Sequence, residues 1–185
     1  MKRLLLAATL ALAPSLAVAE MTGNPLVMDG DTIQFGEQQI TLYGVHAPMI
    51  TQSCGEADAV WSCGWDAAIY LEDVIAGAEV TCIGLTEVGE SDLMMGRCSA
   101  NGQDLSGLMV EAGFAVPDED FGGDYAELAM NAEAEGNGIW SGPFVDPVTY
   151  AEYGGCSCSA RKKAMQDTAA LLKSINEEDE ADAAY

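Results

Sequence analysis

Few side chains in this sequence are equipped for reaction chemistry, and their scarcity is informative. Arg97 is the only Lys or Arg between Leu4 and Ala160. Its planar guanidinium could clamp a phosphate or a carboxylate through two parallel hydrogen bonds. The plainer expectation is an ion pair with Asp29, Asp31 or a nearby Glu, because a lone cation among many carboxylates finds one of them. His46 is the only histidine, and the plain reading of a loop histidine is a hydrogen bond to a neighbouring carboxylate. Six cysteines complete the set: Cys54, Cys63, Cys82, Cys98, Cys156 and Cys158.

Elements must position these groups. Leu26 to Met28 and Thr32 to Phe35 read as short strands around the turn-forming triplet Asp29-Gly30-Asp31, and Gln39 to Val45 as a third strand after the Gly36-Glu37 turn. Together they predict an antiparallel meander. Trp61 to Ala76 reads as a helix stopped by Gly77, with Trp61, Trp65, Ala68, Ile69, Ile75 and Ala76 near one face, although Glu72 interrupts the stripe. Ala78 to Leu85 and Leu93 to Ala100 read as strands flanking a turn at 87–91. Helices are expected at Leu105 to Ala112 and Asp124 to Glu135, each followed by a glycine. Strands first and helices interleaved later predict a small, β-rich α+β fold.

The cysteines fit that plan. A hairpin centred on position 90 puts Cys82 opposite Cys98, which pairs these two and leaves Cys54 with Cys63, closing a small loop ahead of the first helix. Each bond is expected to stabilise by about 2–4 kcal/mol. Cys156 and Cys158 lie in Gly154-Gly155-Cys156-Ser157-Cys158-Ser159. Three states are open to them: a strained mutual bond, which is the favoured one, a bridge to another chain, or a soft-metal clamp with ligands from elsewhere.

The first residues read as an export signal. Lys2 and Arg3 precede a mostly apolar run from Leu4 to Val18, which ends in Ala17-Val18-Ala19. That run is shorter than the roughly 20 residues that span a bilayer, so cleavage after Ala19 is expected, with no membrane anchor left behind. Cysteines behind such a signal suggest disulfides. Export means the periplasm in a Gram-negative cell, or secretion. The segment takes two of the seven basic residues and none of the 30 acidic ones. The remainder therefore carries five cations against 30 anions. Affinity for nucleic acid comes largely from cations that displace counterions from phosphates, so such a surface argues against a general DNA- or RNA-binding module. The acidity is first of all a solubility device.

Four motifs, on these elements and in this order, resemble the staphylococcal-nuclease-like, or thermonuclease, family. They are Val27-Met28-Asp29-Gly30-Asp31-Thr32-Ile33, Leu42-Tyr43-Gly44-Val45-His46-Ala47-Pro48, Gly96-Arg97, and Gly138-Ile139-Trp140 with Pro147 behind it. The resemblance spans about residues 24–150. It implies a five-stranded OB-fold barrel with packed helices over 20–150, after a signal at 1–19 and before a C-terminal extension at 151–185.

The family's reaction is a calcium-dependent attack of water on a phosphodiester. Carboxylates hold the hard cation, guanidinium groups neutralise charge on the phosphorus-bound oxygens, and a Glu acts on the water. Carried over position by position, the resemblance puts the first metal-binding Asp on Asp31. The second falls on His46, whose nitrogen beside Asp31 would shift preference toward zinc, although only two such ligands can be named. A backbone carbonyl ligand falls on Ala47. The catalytic Glu falls on Met49 and the first catalytic Arg on Thr41, and neither can serve. The second catalytic Arg falls on Arg97. Losing one such group typically costs about 10² to 10³ in rate.

These departures lead to an exported thermonuclease-like domain that has lost its hydrolysis and acts as a binding or structural module. Its partner would be an envelope or extracellular protein, a small ligand or a cation. The alternative is a weak Ca²⁺-dependent nuclease. Glu56, Asp58 or Glu90 would stand in as base, and Arg161, Lys162, Lys163 or Lys173 would supply the missing cation. The extension itself carries Met165, Ala169, Leu172 and Ile175 at near-helical spacing, followed by the acidic run Glu177-Glu178-Asp179-Glu180. Its cations lie at the N-terminal end and its anions at the C-terminal end, against the helix dipole. A helix here is expected to dock its apolar stripe on the domain.

Overall fold

A computed structural model of the protein describes residues 20–89 and 92–153. The expected signal, Glu90, and the segment 154–185 with Cys156 and Cys158 lie outside the described residues. The described residues open with strands β1 (Glu20–Gly23), β2 (Leu26–Val27), β3 (Thr32–Phe35), β4 (Gln38–Leu42) and β5 (Val45–His46), then helix α1 (Cys63–Ile75). Strands β6 (Val80–Glu87), β7 (Met94–Ala100) and β8 (Gln103–Asp104) come next, then α2 (Leu105–Glu111), β9 (Val116–Pro117), α3 (Ala126–Glu135) and α4 (Pro147–Tyr153). Short 3-10 turns sit at Ala57–Ala59, Gly122–Tyr125 and Gly138–Ser141.

The architecture is mixed α+β, with a sheet that curls into a half-barrel. Its strand order is β1-β6-β7-β4-β3-β2, with β8 paired to β7, and β5 pairs separately with β9. The antiparallel meander covers β2, β3 and β4, whereas β4 meets β7 in parallel, with Leu42 beside Gly96. The strand expected over 39–45 is interrupted. Gly44 takes a positive φ of 75°, and the chain resumes at Val45 as a partner of β9.

Period-two alternation decides what is buried. Ile40 and Leu42 on β4, Val80 and Cys82 on β6, and Cys98 and Ala100 on β7 face a common core with Ile33, Leu71, Leu105 and Met109. Arg97, between two inward residues, is therefore on the outer face. Cys82 stands opposite Cys98 in the β6–β7 register and is bonded to it, and Cys54 is bonded to Cys63. Toward the turn the register slips by one residue between Ile83 and Thr86, around Gly84 at a φ of 67°. This is a β-bulge.

Helix α1 buries Cys63, Gly64, Ala67, Leu71 and Ile75, and that corrects the predicted stripe. Trp65 and Ile69 are on its outer side, 57% and 41% exposed. The buried stripe is made largely of small residues because α1 lies against other backbone. A Cβ on Gly64 would overlap the Met49 carbonyl, and one on Gly30 would come within 2.7 Å of the Cβ atoms of both Ala47 and Ala67. Helix α4 runs across the domain boundary expected at residue 150. Two disulfides point to an oxidising compartment. Among the described residues, no helix is long and apolar enough to cross a membrane.

Candidate functional site

The Asp29-Gly30-Asp31 turn is held from within. The Met28 and Asp29 amides donate to the Thr32 carbonyl at 2.9 and 3.4 Å, and the Asp31 amide donates to Asp29 Oδ1 at 3.1 Å. Asp31 then ties the turn to the segment after β5. Its Oδ2 accepts the Ala47 N–H at 2.7 Å and its Oδ1 accepts the Thr32 hydroxyl at 3.0 Å. Gly30 makes this approach possible, because a side chain there would strike Ala47. The spacing of the motif thus has a packing reason as well as a chemical one.

Burial pushes the Asp31 carboxyl up to about 7, helped by the neighbouring Asp29 charge and only partly opposed by the Ala47 amide. Near neutral pH this group is a poor permanent anion.

Asp29, Asp31, His46, Ala47 and Met49 form one wall of a cavity of about 410 Å³, and Pro147, Val148, Ala151 and Glu152 of α4 form the other. The cavity therefore holds four of the positions to which the resemblance assigns roles, Asp31, His46, Ala47 and Met49. Among the described residues, no Lys or Arg lines it.

His46 is engaged elsewhere. Its Nε2 lies 2.7 Å from Asp118 Oδ2, on the side of a neighbouring groove of about 640 Å³ that also carries Glu119, Asp120, Asp146, Trp140 and Phe144. Asp118 is fixed in turn by the amides of Asp120 and Phe121, both donating to its Oδ1 at 2.8 Å. Burial pushes the Asp118 carboxyl up, but those amides and His46 outweigh it and hold the carboxyl below its ordinary value.

Arg97 belongs to a third place. Its guanidinium donates to Asp124 Oδ2 at 2.7 Å and lies 4.1 Å over the centroid of the Tyr43 ring. It opens on a cavity of about 490 Å³ lined also by Asp104, Glu111 and Tyr125. Among the described residues that cavity shares no lining residue with the Asp31 cavity. The ion pair anticipated for Arg97 forms, but its partner is Asp124 rather than Asp29, Asp31 or a nearby Glu. Thr41, to which the resemblance assigns the first catalytic Arg, lies on β4 between Thr32 and Met95.

Calcium takes about six to eight oxygen ligands, and among the described residues the carboxylates that line the cavity are Asp29, Asp31 and Glu152. Among the described residues, no three His, Cys, Asp or Glu side chains converge to hold a metal ion. Both Asp31 carboxylate oxygens are already engaged, Oδ2 by the Ala47 amide and Oδ1 by the Thr32 hydroxyl. The side chains of the described residues alone thus make up a full donor set for neither calcium nor zinc. Of the proposed substitute bases, Glu56 and Asp58 line neither the Asp31 nor the Arg97 cavity, and Glu90 lies outside the described residues. The residues that engage His46 and Arg97, Asp118 and Asp124, carry no motif signal in the sequence. The acidic run Asp118-Glu119-Asp120 after Pro117 is the nearest thing to one.

No family model matches the chain. Over 127 residues it is 32% identical to the succinoglycan biosynthesis protein ExoI of Rhizobium meliloti (strain 1021), covering 67% of this chain and 66% of that protein. The chain thus spans just under two thirds of the length of this relative.

Proposed function

We propose that the protein is an exported, nuclease-like domain that binds rather than cleaves, its phosphodiester site having become a small apolar and acidic pocket. One observation carries the reading. Among the described residues the cavity around Asp31 has no Lys or Arg in its lining, while Arg97 is paired to Asp124 in a separate cavity. Charge growing on a phosphoryl group in the Asp31 cavity would meet carboxylates and methyl groups. A preorganised donor at such a point is worth about 3–4 kcal/mol of barrier. Met49 supplies no base where general-base help would contribute about 10² to 10⁴ in rate. The net charge of −23 over the whole chain adds repulsion for any polyanion. The name of the relative speaks of succinoglycan synthesis and describes no chemistry, so the reading rests on the site. A ligand of this pocket would be a small or extended apolar group bearing positive charge.

The test is cleavage of single-stranded DNA, RNA and a small phosphodiester by the mature protein with calcium, magnesium or chelator, beside Arg97→Ala. The expected result is no cleavage above the blank under any condition. Chelator-sensitive cleavage that disappears in Arg97→Ala would overturn the reading and restore the calcium-dependent nuclease.

A further inference from the structure

Two of the five asparagines are followed by glycine, Asn101 before Gly102 and Asn137 before Gly138. With no side chain on the second residue, its backbone nitrogen can approach the carboxamide carbon of the first. Both pairs thus carry the groups for the same intramolecular reaction, but the fold treats them differently. Asn101 and Gly102 are the whole loop of the β7–β8 hairpin, since Ala100 is paired with Gln103. Both have positive φ, 52° and 76°, as two-residue hairpin turns demand and Asn-Gly readily supplies. Both are exposed, and a Cβ on Gly102 would meet nothing within 4 Å. The loop can therefore change its torsions without displacing a packed group.

Asn137 is clamped. Its carboxamide nitrogen donates to Glu135 Oε2 at 3.0 Å and to the Glu111 carbonyl at 3.3 Å. Its amide donates to the Ala132 carbonyl and its own carbonyl accepts the Trp140 amide, both at 2.9 Å. The peptide that joins it to Gly138 lies against Gly113, where a Cβ would overlap the Asn137 carbonyl and come within 3.1 Å of the Gly138 nitrogen.

We infer that Asn101 is a site of spontaneous modification, losing its side-chain amide to attack by the Gly102 backbone nitrogen, and that the fold spares Asn137. The attack forms a bond from that nitrogen to Asn101 Cγ and closes a succinimide ring. The Gly102 amide proton passes to the departing group, and the Cγ–Nδ2 bond breaks with release of ammonia. Water then opens the ring at either carbonyl. One opening leaves aspartate and the other isoaspartate, in which the chain runs through the β-carbon. Nothing is oxidised or reduced, and water is the only co-reactant. Either product adds a negative charge to the turn. Isoaspartate also adds a backbone atom to the shortest of loops, directly before Gln103 and Asp104, which line the Arg97 cavity. An aged chain therefore differs from a fresh one at the edge of that cavity.

The test is incubation of the full mature chain in mildly alkaline buffer, once folded and once in urea. Both positions are followed by mass spectrometry of peptides, with isoaspartate told from aspartate by electron-based fragmentation. In urea the two asparagines are expected to react at similar rates, because only the shared Asn-Gly sequence then acts. In the folded chain Asn101 is expected to react at least about tenfold faster than Asn137, whose segment must first open. Comparable rates in the folded chain, or Asn137 the faster, would overturn the inference. So would a product at Asn101 that is aspartate alone, which direct hydrolysis gives without the ring, or an Asn101 that stays intact in urea.

Discussion

Asp31 sits in surroundings unlike those that the resemblance would give it. In a metal site it would be a permanent anion, yet here it is buried beside Asp29 and fastens a turn to the Ala47 amide. Its folded-state value near 7 lies above the ordinary 3.8, so folding favours the proton. The associated stability is complete below about pH 4 and is lost as pH rises through about 7. We predict that the protein is less stable at pH 8 than at pH 5. Asp31→Asn, which mimics the protonated form, should remove most of that difference, of the order of 2 kcal/mol. Urea midpoints of both proteins across pH 4–8 check this, and parallel curves would refute it. At this scale the sequence singled out candidate residues but not their partners. His46 meets Asp118 across 72 residues and Arg97 meets Asp124 across 27, and no local pattern encodes either pairing.

Elements are more legible, because period and turn chemistry are local. The hairpin arithmetic that places Cys82 opposite Cys98 holds up to the bulge at Gly84, where one extra residue shifts the register. The stripe of α1 is misjudged because counting apolar residues does not reveal what lies opposite. The helix packs on backbone near Met49, so glycine and alanine occupy the buried side and Trp65 is left outside. Gly64→Ala should therefore cost about 2–4 kcal/mol despite the rise in helix propensity, through overlap with the Met49 carbonyl. A stabilised variant in thermal denaturation would contradict that packing. The disulfides enclose loops of different size, with sequence separations of 9 and 16 residues. On the chain-entropy account, replacing Cys82 and Cys98 with Ala should cost about 3.1 kcal/mol, against about 2.6 kcal/mol for Cys54 and Cys63. The ordering is open to comparison by chemical unfolding.

For the molecule as a whole, charge sets the behaviour. With Arg97 the only Lys or Arg in the described residues, the folded surface repels itself. Raising salt from about 0.05 to 1 M shortens the screening length from about 14 to 3 Å and should raise Tm by several degrees. A Tm that falls with salt would mean that paired charges dominate instead. The β-rich α+β class is readable from the order of strands and helices. The parallel contact of β4 with β7 is not, because strand order across a sheet is set by packing of distant segments.

The position of Arg97, one residue before Cys98, also governs how the chain meets a protease that cuts after Lys or Arg. Between Leu4 and Ala160 such an enzyme finds a single bond, Arg97–Cys98. A cut there leaves Cys82 on one piece and Cys98 on the other, still joined by their disulfide. The nicked core stays in one covalent piece until a reductant releases the two halves.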